Sequence, residues 1–81
     1  MRFDLDTNDS VGLTALTVQL LVWNPTAAKY FRGAERRFDE EGLVANPIPS
    51  LEAEVRGAVV FLKVAQATAT SLSLSVYASL S

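Results

Sequence analysis

Hydrophobic and polar residues alternate with a period of two along much of the chain, which is the pattern of half-buried β-strands. The alternation covers residues 1–6, 14–23, 51–56 and 71–81. It is clearest in the last stretch, where the predicted inward-facing set is Leu72, Leu74, Val76, Ala78 and Leu80. Because five apolar residues alternate from Leu72 to Leu80, we expect the last strand to lie at the centre of the core.

The strand predicted at residues 14–23 has two unlike faces. One face is apolar throughout and consists of Leu16, Val18, Leu20 and Val22. The opposite face is polar at its start and apolar at its end, and its members are Thr17, Gln19, Leu21 and Trp23. If that opposite face is exposed, Leu21 and Trp23 form an apolar patch at the end of the strand.

The next region has two local interpretations, of which the first is a helix at about 25–41. Asn24 would cap this helix, with Pro25 at its first position and Gly42 beyond its end. An apolar stripe at helical spacing supports it, namely Ala27, Tyr30, Phe31, Ala34 and Phe38. Local physics places this helix slightly ahead, although Gly33 inside it costs roughly 1 kcal/mol relative to alanine.

The second interpretation is a β-hairpin. Residues 24–28 would form its turn, and the chain would return as a strand from Lys29 to about Glu35. Tyr30 and Phe31 are residue types that are common in strands. The choice between hairpin and helix determines whether the fold is all-β or α+β.

The remaining patterns favour an all-β fold. Residues 58–62 are apolar on both faces, which predicts a strand buried on both sides, and the small residues 65–70 predict a turn. Five or six strands separated by turn signals predict a small antiparallel β-sandwich or open barrel. The alternative is an α+β fold with the helix at about 25–41. With 81 residues in total, the chain is expected to form a single domain.

Composition excludes several function classes. The chain contains no Cys and no His, so it has no disulfide framework, no thiolate site and neither of two common catalytic side chains. We therefore expect no enzymatic activity, no cofactor and no bound metal. The formal net charge of −2 argues against nucleic acid as a partner. No apolar run approaches the roughly 18 residues of a membrane-spanning helix, so we expect no membrane partner.

Two stretches of the sequence resemble a known family. The stretch from Gly12 to Phe31 combines a Leu-Thr-Ala-Leu-Thr-Val strand with an Asn-Pro-Thr-Ala-Ala-Lys-Tyr-Phe turn. The stretch from Val55 to Leu80 combines an Arg-containing apolar strand, a short turn and a Ser-Val-Tyr-Ala-Ser-Leu strand. Together they resemble small β-sandwich structural proteins of tailed-bacteriophage virions. The chain departs from that pattern at Asn24, Ala28 and Tyr77, where the family has Asp, Gly and Gly.

The resemblance implies the hairpin rather than the helix for residues 23–36. It further implies a structural protein of the virion, and in the first place a multi-copy capsid decoration or minor head protein. Such a protein is assembled into the virion in the host cytoplasm. Its implied partners are major capsid or tail proteins and further copies of itself, in a homo-oligomer. The alternatives are a tail or head–tail connector component, or a small adaptor domain that binds one protein partner.

The residues around the predicted hairpin are the candidate protein interface. Aromatic and basic side chains are the types that most often anchor protein interfaces. The candidates are Leu21, Trp23, Tyr30, Phe31, Arg32, Arg36 and Arg37. The acidic residues 39–41 follow at once, and the whole segment reads either as an electrostatic docking strip or as a solvated loop. The aromatic members have a second interpretation as ordinary core residues.

One acidic segment looks like the beginning of a calcium loop. Asp4, Asp6, Asn8 and Asp9 have a spacing that resembles its first positions. An EF-hand requires Gly at its sixth position and Glu at its twelfth, and these positions are Asp9 and Ala15 here. We therefore interpret the segment as an acidic strand edge followed by a turn.

Overall fold

A computed structural model describes residues 1–54 and 59–79 of the chain, and the described part is mostly β-structure. Six strands and one short helix follow one another in the order β1 (Arg2–Asp6), β2 (Ala15–Asn24), β3 (Lys29–Asp39), α1 (Glu40–Ala45), β4 (Ser50–Glu52), β5 (Val60–Thr68) and β6 (Ser75–Ser79). The predicted all-β antiparallel fold is therefore confirmed, and the alternative α+β fold is wrong.

The strands form two three-stranded antiparallel sheets that share one core. The first sheet has the order β4-β1-β6 and the second has the order β3-β2-β5. Buried side chains of both sheets and of α1 form a single cluster, which consists of Phe3, Leu5, Leu16, Val18, Leu20, Phe38, Leu43 and Leu51. The arrangement is sandwich-like, because each sheet turns one apolar face toward the other.

Residues 25–39 form the turn and return strand of the hairpin, and not the predicted helix. The Asn24 side chain accepts hydrogen bonds from the backbone N–H groups of Thr26 (3.0 Å) and Ala27 (3.1 Å). The same capping chemistry that the helix would require thus closes a tight turn, as Asn side chains often do. Ala28 ends the turn with a left-handed backbone (φ 54°), and β3 begins at the next residue.

Helical structure in this region is confined to the six residues of α1. Asp39 caps it, accepting a hydrogen bond from the Gly42 N–H at 2.8 Å. Leu43 anchors the helix in the core. No helix within residues 1–54 and 59–79 has both the length and the apolar character that a membrane crossing requires.

The last strand does not lie at the centre of the core, and that prediction is wrong. β6 is an edge strand of the first sheet, and its five residues are all exposed. Val76 does face the same side as Leu5, its partner on β1, but it remains 42% exposed. Leu74 is partly buried and precedes the strand, and Leu80 lies outside the described residues. Alternation identifies the inward face of a strand but not whether the opposite sheet covers it.

β5 also differs from its prediction. Val60 and Leu62 are half-buried, but Val59 and Phe61 are exposed, so residues 59–62 are not buried on both sides. The strand continues to Thr68, through most of the predicted turn at 65–70. Both differences follow from its place at the edge of the second sheet, where only one face meets the core. Residues 55–58, which complete the predicted strand, lie outside the described residues.

Candidate protein-interaction surface

The second sheet has an outer face that points away from the shared core. The inner face of β2 carries the buried residues Leu16, Val18 and Leu20. The outer face therefore carries the alternate residues of β2 and the residues paired with them on β3 and β5. We use "outer face" for this surface, whose members are Thr17, Gln19, Leu21, Trp23, Tyr30, Arg32, Glu35, Arg37, Phe61, Lys63 and Gln66.

One end of the outer face is apolar, and its four side chains form the outer aromatic cluster: Leu21, Trp23, Tyr30 and Phe61. The ring centroids of Trp23 and Tyr30 are 5.1 Å apart in an edge-to-face arrangement. The ring centroids of Tyr30 and Phe61 are 6.5 Å apart. The three rings, one from each strand of the sheet, are therefore next to one another. Tyr30 is 44% exposed and Phe61 is 55% exposed. The cluster is therefore a rigid apolar surface that solvent reaches.

Strand pairing explains why these side chains meet. Trp23 lies opposite Tyr30 on β3, and Leu21 lies opposite Phe61 on β5. Side chains that face each other across antiparallel strands have Cβ atoms about 5 Å apart, which is within contact distance for aromatic rings. Edge-to-face ring pairs add about 0.5–1.5 kcal/mol beyond their buried area.

A β-bulge in β3 divides the outer face into its apolar and polar ends. Gln19 lies opposite Glu35, but Leu21 lies opposite Arg32, so β3 contains one extra residue at Gly33–Ala34. The Gln19 side chain is 92% buried here, since only 8% of the residue is exposed. Its Nε2 donates hydrogen bonds to the carbonyl oxygens of Gly33 (2.9 Å) and Ala34 (3.3 Å).

Gln19→Ala tests this role of the amide. The substitution leaves two bulge carbonyls without their side-chain donor, and we expect it to lower the free energy of unfolding by about 1.5 kcal/mol. Gln66→Ala is the matched control, because Gln66 is on the same face but exposed. Urea denaturation followed by circular dichroism measures both values. Equal losses in the two variants would contradict the role of Gln19.

The predicted interface residues are divided between the two faces of the sheet. Five of the seven are on the outer face: Leu21, Trp23, Tyr30, Arg32 and Arg37. Phe31 and Arg36 lie opposite Val22 and Val18, and therefore on the inner side of the sheet. At this open edge both reach solvent. The structure thus brings together most of the predicted set, but not all of it, on one surface.

The basic residues of β3 do not form one continuous patch. Arg32 and Arg37 are on the outer face, whereas Lys29 and Arg36 are on the inner side. The two inner-side cations lie over aromatic rings. The Lys29 Nζ is 5.4 Å from the centroid of the Phe31 ring, and the Arg36 guanidinium carbon is 5.4 Å from that of Phe38. Both cations remain exposed to solvent, where a cation–π contact contributes about 0.5–1 kcal/mol.

The polar end of the outer face contains charges of both signs. A shallow depression over the bulge is lined by Gln19, Leu21, Arg32, Glu35, Lys63 and Ala65. This set contains one carboxylate, that of Glu35, and two cationic side chains, so the local charge is mixed rather than uniformly positive. A surface of this kind fits a protein partner with a complementary charge pattern better than it fits a polyanion.

Phe61 and Glu35 belong to this surface but are not among the predicted interface residues. Phe61 was assigned to a strand buried on both sides, although the alternation of Val60 and Leu62 with Phe61 and Lys63 contained the correct signal. Glu35 is the predicted end of the return strand, whereas β3 continues to Asp39 and contains the bulge that places Glu35 on the outer face with Arg32. Gly33, an isolated glycine inside a strand, was the available signal for that bulge.

The acidic segment at the end of β1 forms local hydrogen bonds. Asp4 accepts a hydrogen bond from the Arg2 Nε at 2.9 Å, and Asp6 accepts one from the N–H of Asn8 at 3.0 Å. Among residues 1–54 and 59–79 no three metal-ligating side chains come together. The predicted turn is confirmed at Asn8 and Asp9, but Asp4 and Asp6 lie on β1, the central strand of the first sheet, so the predicted position at a strand edge is wrong.

Comparison with known proteins finds no matching protein family, no matching curated protein and no matching solved structure. The resemblance to structural proteins of phage virions therefore has no support from these comparisons, and it stays a prediction.

Proposed function

We propose that this chain is a non-enzymatic structural protein that binds other protein subunits through the outer aromatic cluster. The observation that carries the proposal is the exposure of Tyr30 and Phe61 beside Trp23 on one rigid sheet face. Large aromatic side chains supply most of the binding energy at protein interfaces, where they are desolvated at the centre of the contact. In an isolated subunit the same surface remains in water, at a cost in free energy.

The surroundings of the cluster support the same proposal. Arg32, Glu35 and Lys63 lie next to the apolar end on the same face, in the arrangement of a polar rim beside an apolar centre. Charges at a rim contribute mainly to orientation and specificity. Because the cluster is built on paired strands, little conformational entropy is lost when a partner covers it.

We place this binding module in a tailed-bacteriophage virion, as a multi-copy capsid decoration or minor head protein assembled in the host cytoplasm. The support for the virion is the sequence resemblance of the strand–turn–strand segments. The partners in that setting are major capsid or tail proteins. The absence of His and Cys supports a role without catalysis.

Phe61→Ser tests the proposal. The substitution removes an exposed ring and costs the isolated domain little, so the variant is expected to fold. Tyr77→Ser is the matched control, because Tyr77 is similarly exposed (60%) but lies on β6 of the other sheet. Each variant is co-expressed with the structural genes that neighbour its own, and the purified particles are assayed for the chain by quantitative mass spectrometry. We expect a loss of at least about tenfold for Phe61→Ser, corresponding to roughly 1.4 kcal/mol, and none for Tyr77→Ser.

Two results would contradict the proposal. One is a wild-type chain that enters no particle and binds none of the co-expressed proteins. The other is incorporation of Phe61→Ser at the wild-type level while it is folded by circular dichroism, since the aromatic cluster would then contribute nothing to the contact.

A further inference from the structure

We infer that two copies of this chain pair through their β3 strands, antiparallel and about a two-fold axis at the bulge. β3 is the outermost strand of its sheet, and among the described residues no strand pairs with its free side. An unpaired edge of eleven residues presents N–H and C=O groups that another strand can join. The inference goes beyond the proposed function, because it adds a contact between two copies at the edge of the sheet, whereas the proposed contact uses the outer face.

The bulge determines which residues face each other in such a pair. In a strand without a bulge, Arg32 and Glu35 would be on opposite faces, because they are three residues apart. The extra residue at Gly33–Ala34 places both on the outer face. A symmetric pair presents the same face of both copies on the same side, so only residues of the same face can be opposite. The register centred on the bulge meets this condition along the whole of β3.

Charges and rings are complementary in that register. The pairs between the two copies are Arg32–Glu35, Tyr30–Arg37, Phe31–Arg36 and Lys29–Phe38, and symmetry produces each of them twice. One joins opposite charges, and the other three place a cation beside an aromatic ring, as Lys29 and Arg36 already do within the chain. If the register shifts by two residues in one direction, Arg32 lies opposite Arg37, and if it shifts by two in the other direction, Lys29 lies opposite Arg36. In both cases like charges face each other and repel.

The pairing closes on itself. A two-fold contact uses the same edge of both copies, so it ends at the dimer rather than continuing into a fibre. The product is a six-stranded sheet with the order β5-β2-β3-β3-β2-β5. Gly33 and Ala34 have the smallest side chains of β3, and they meet their counterparts at the axis. Both outer aromatic clusters lie on the same face of the extended sheet. Tyr30 borders the contact beside Arg37 of the other copy, whereas Leu21, Trp23 and Phe61 lie on β2 and β5 and stay open to a further subunit.

Charge reversal at the central pair tests the inference. We expect the mass of the wild-type chain in sedimentation equilibrium to rise with concentration from 8.8 kDa toward twice that value. In a dimer of Arg32→Glu, the new carboxylate lies opposite Glu35 of the other copy, and symmetry repeats this repulsive pair. In a dimer of Glu35→Arg, two guanidinium groups face each other at both of these positions. Each single variant is expected to raise the dissociation constant by at least about tenfold. Lys63→Glu is the control, since it changes the same charge on the same face but on β5, and it is expected to dimerise normally.

Mixing the two single variants separates contacts between copies from contacts within one chain. A heterodimer of Arg32→Glu with Glu35→Arg has opposite charges at both central pairs, although each variant alone repels itself. We therefore expect an equimolar mixture to recover the dimer, with both chains present in it by native mass spectrometry. A role of these residues within a single chain would not be rescued in this way.

Three results would overturn the inference. They are a wild-type chain that stays monomeric up to about millimolar concentration, single variants that dimerise like the wild type, and a mixture that does not recover the dimer. A monomeric wild type would mean that the charges and the bulge of β3 protect this edge from pairing. Phe61→Ser distinguishes the two proposals, because it is expected to dimerise normally while losing incorporation into particles.

Discussion

Leu16→Asp is expected to abolish folding. Leu16 is fully buried near the start of β2, the central strand of its sheet, between Phe38 on β3 and Ala67 on β5. A carboxylate at this position has no polar partner, and burying it costs several kcal/mol. At about 0.05–0.15 kcal/mol per residue, a domain of 81 residues has a total stability of roughly 4–12 kcal/mol. Circular dichroism at neutral pH should show no cooperative thermal transition for this variant.

Val76→Asp is the matched control for that prediction. The residue changes from apolar to acidic in the same way, but Val76 lies on an edge strand and is already 42% exposed. We expect this variant to fold cooperatively and to lose about 1 kcal/mol, from reduced burial and lower strand propensity. The opposite order of stabilities would show that β6 is central and β2 peripheral, which would contradict the arrangement of the two sheets.

The contrast between these strands shows what alternation along the sequence can predict. The inward set of β2 was predicted correctly, and its residues from Leu16 to Leu20 are fully buried. The alternation of the last strand also gave the correct face, since Val76 lies on the side of Leu5. Its position could not be predicted in the same way, because burial depends on which strands lie on either side and on the extent of the opposite sheet. Both are long-range properties that no local window contains.

The candidate surface shows a similar limit. Leu21, Trp23 and Tyr30 were grouped correctly, since a hairpin pairs residues that are close in sequence. Beyond Gly33 the grouping failed for Arg36, because the bulge shifts every later residue of β3 by one position relative to its partners. Phe61 was missed because β5 reaches this face through pairing over about 40 positions of the chain. Short-range pairing was therefore predictable, whereas a single inserted residue and a distant strand were not.

Gly12→Val is expected to have the second largest effect on stability. Gly12 has a left-handed backbone (φ 67°) in the segment between β1 and β2. The neighbouring Val11 joins this segment to the turn between β5 and β6, through its N–H to the Ser71 carbonyl (2.8 Å) and its carbonyl from the Thr70 N–H (2.9 Å). A residue at position 12 that does not adopt the left-handed backbone conformation would disturb both hydrogen bonds.

Two separate costs add up in this variant. A left-handed backbone costs a residue other than glycine about 1–2 kcal/mol, and β-branched residues tolerate it least. In addition, a Cβ at position 12 would lie only 2.9 Å from the Thr70 Oγ1, so the exposed Thr70 side chain must rotate away, at a smaller further cost. We therefore expect Gly12→Val to lower the free energy of unfolding by roughly 2 kcal/mol.

Two further variants measure these costs independently by urea denaturation. Thr70→Ala in the Gly12→Val background removes the Oγ1 atom that a Cβ at position 12 would meet, so it should restore the part of the stability that the clash removes. Gly12→Asn keeps the clash but adopts the left-handed backbone more readily, and it should be more stable than Gly12→Val by about 1 kcal/mol. If Gly12→Val instead stays within about 0.5 kcal/mol of the wild type, as ordinary surface substitutions do, the segment does not require a glycine and its contact with Thr70 is not tight.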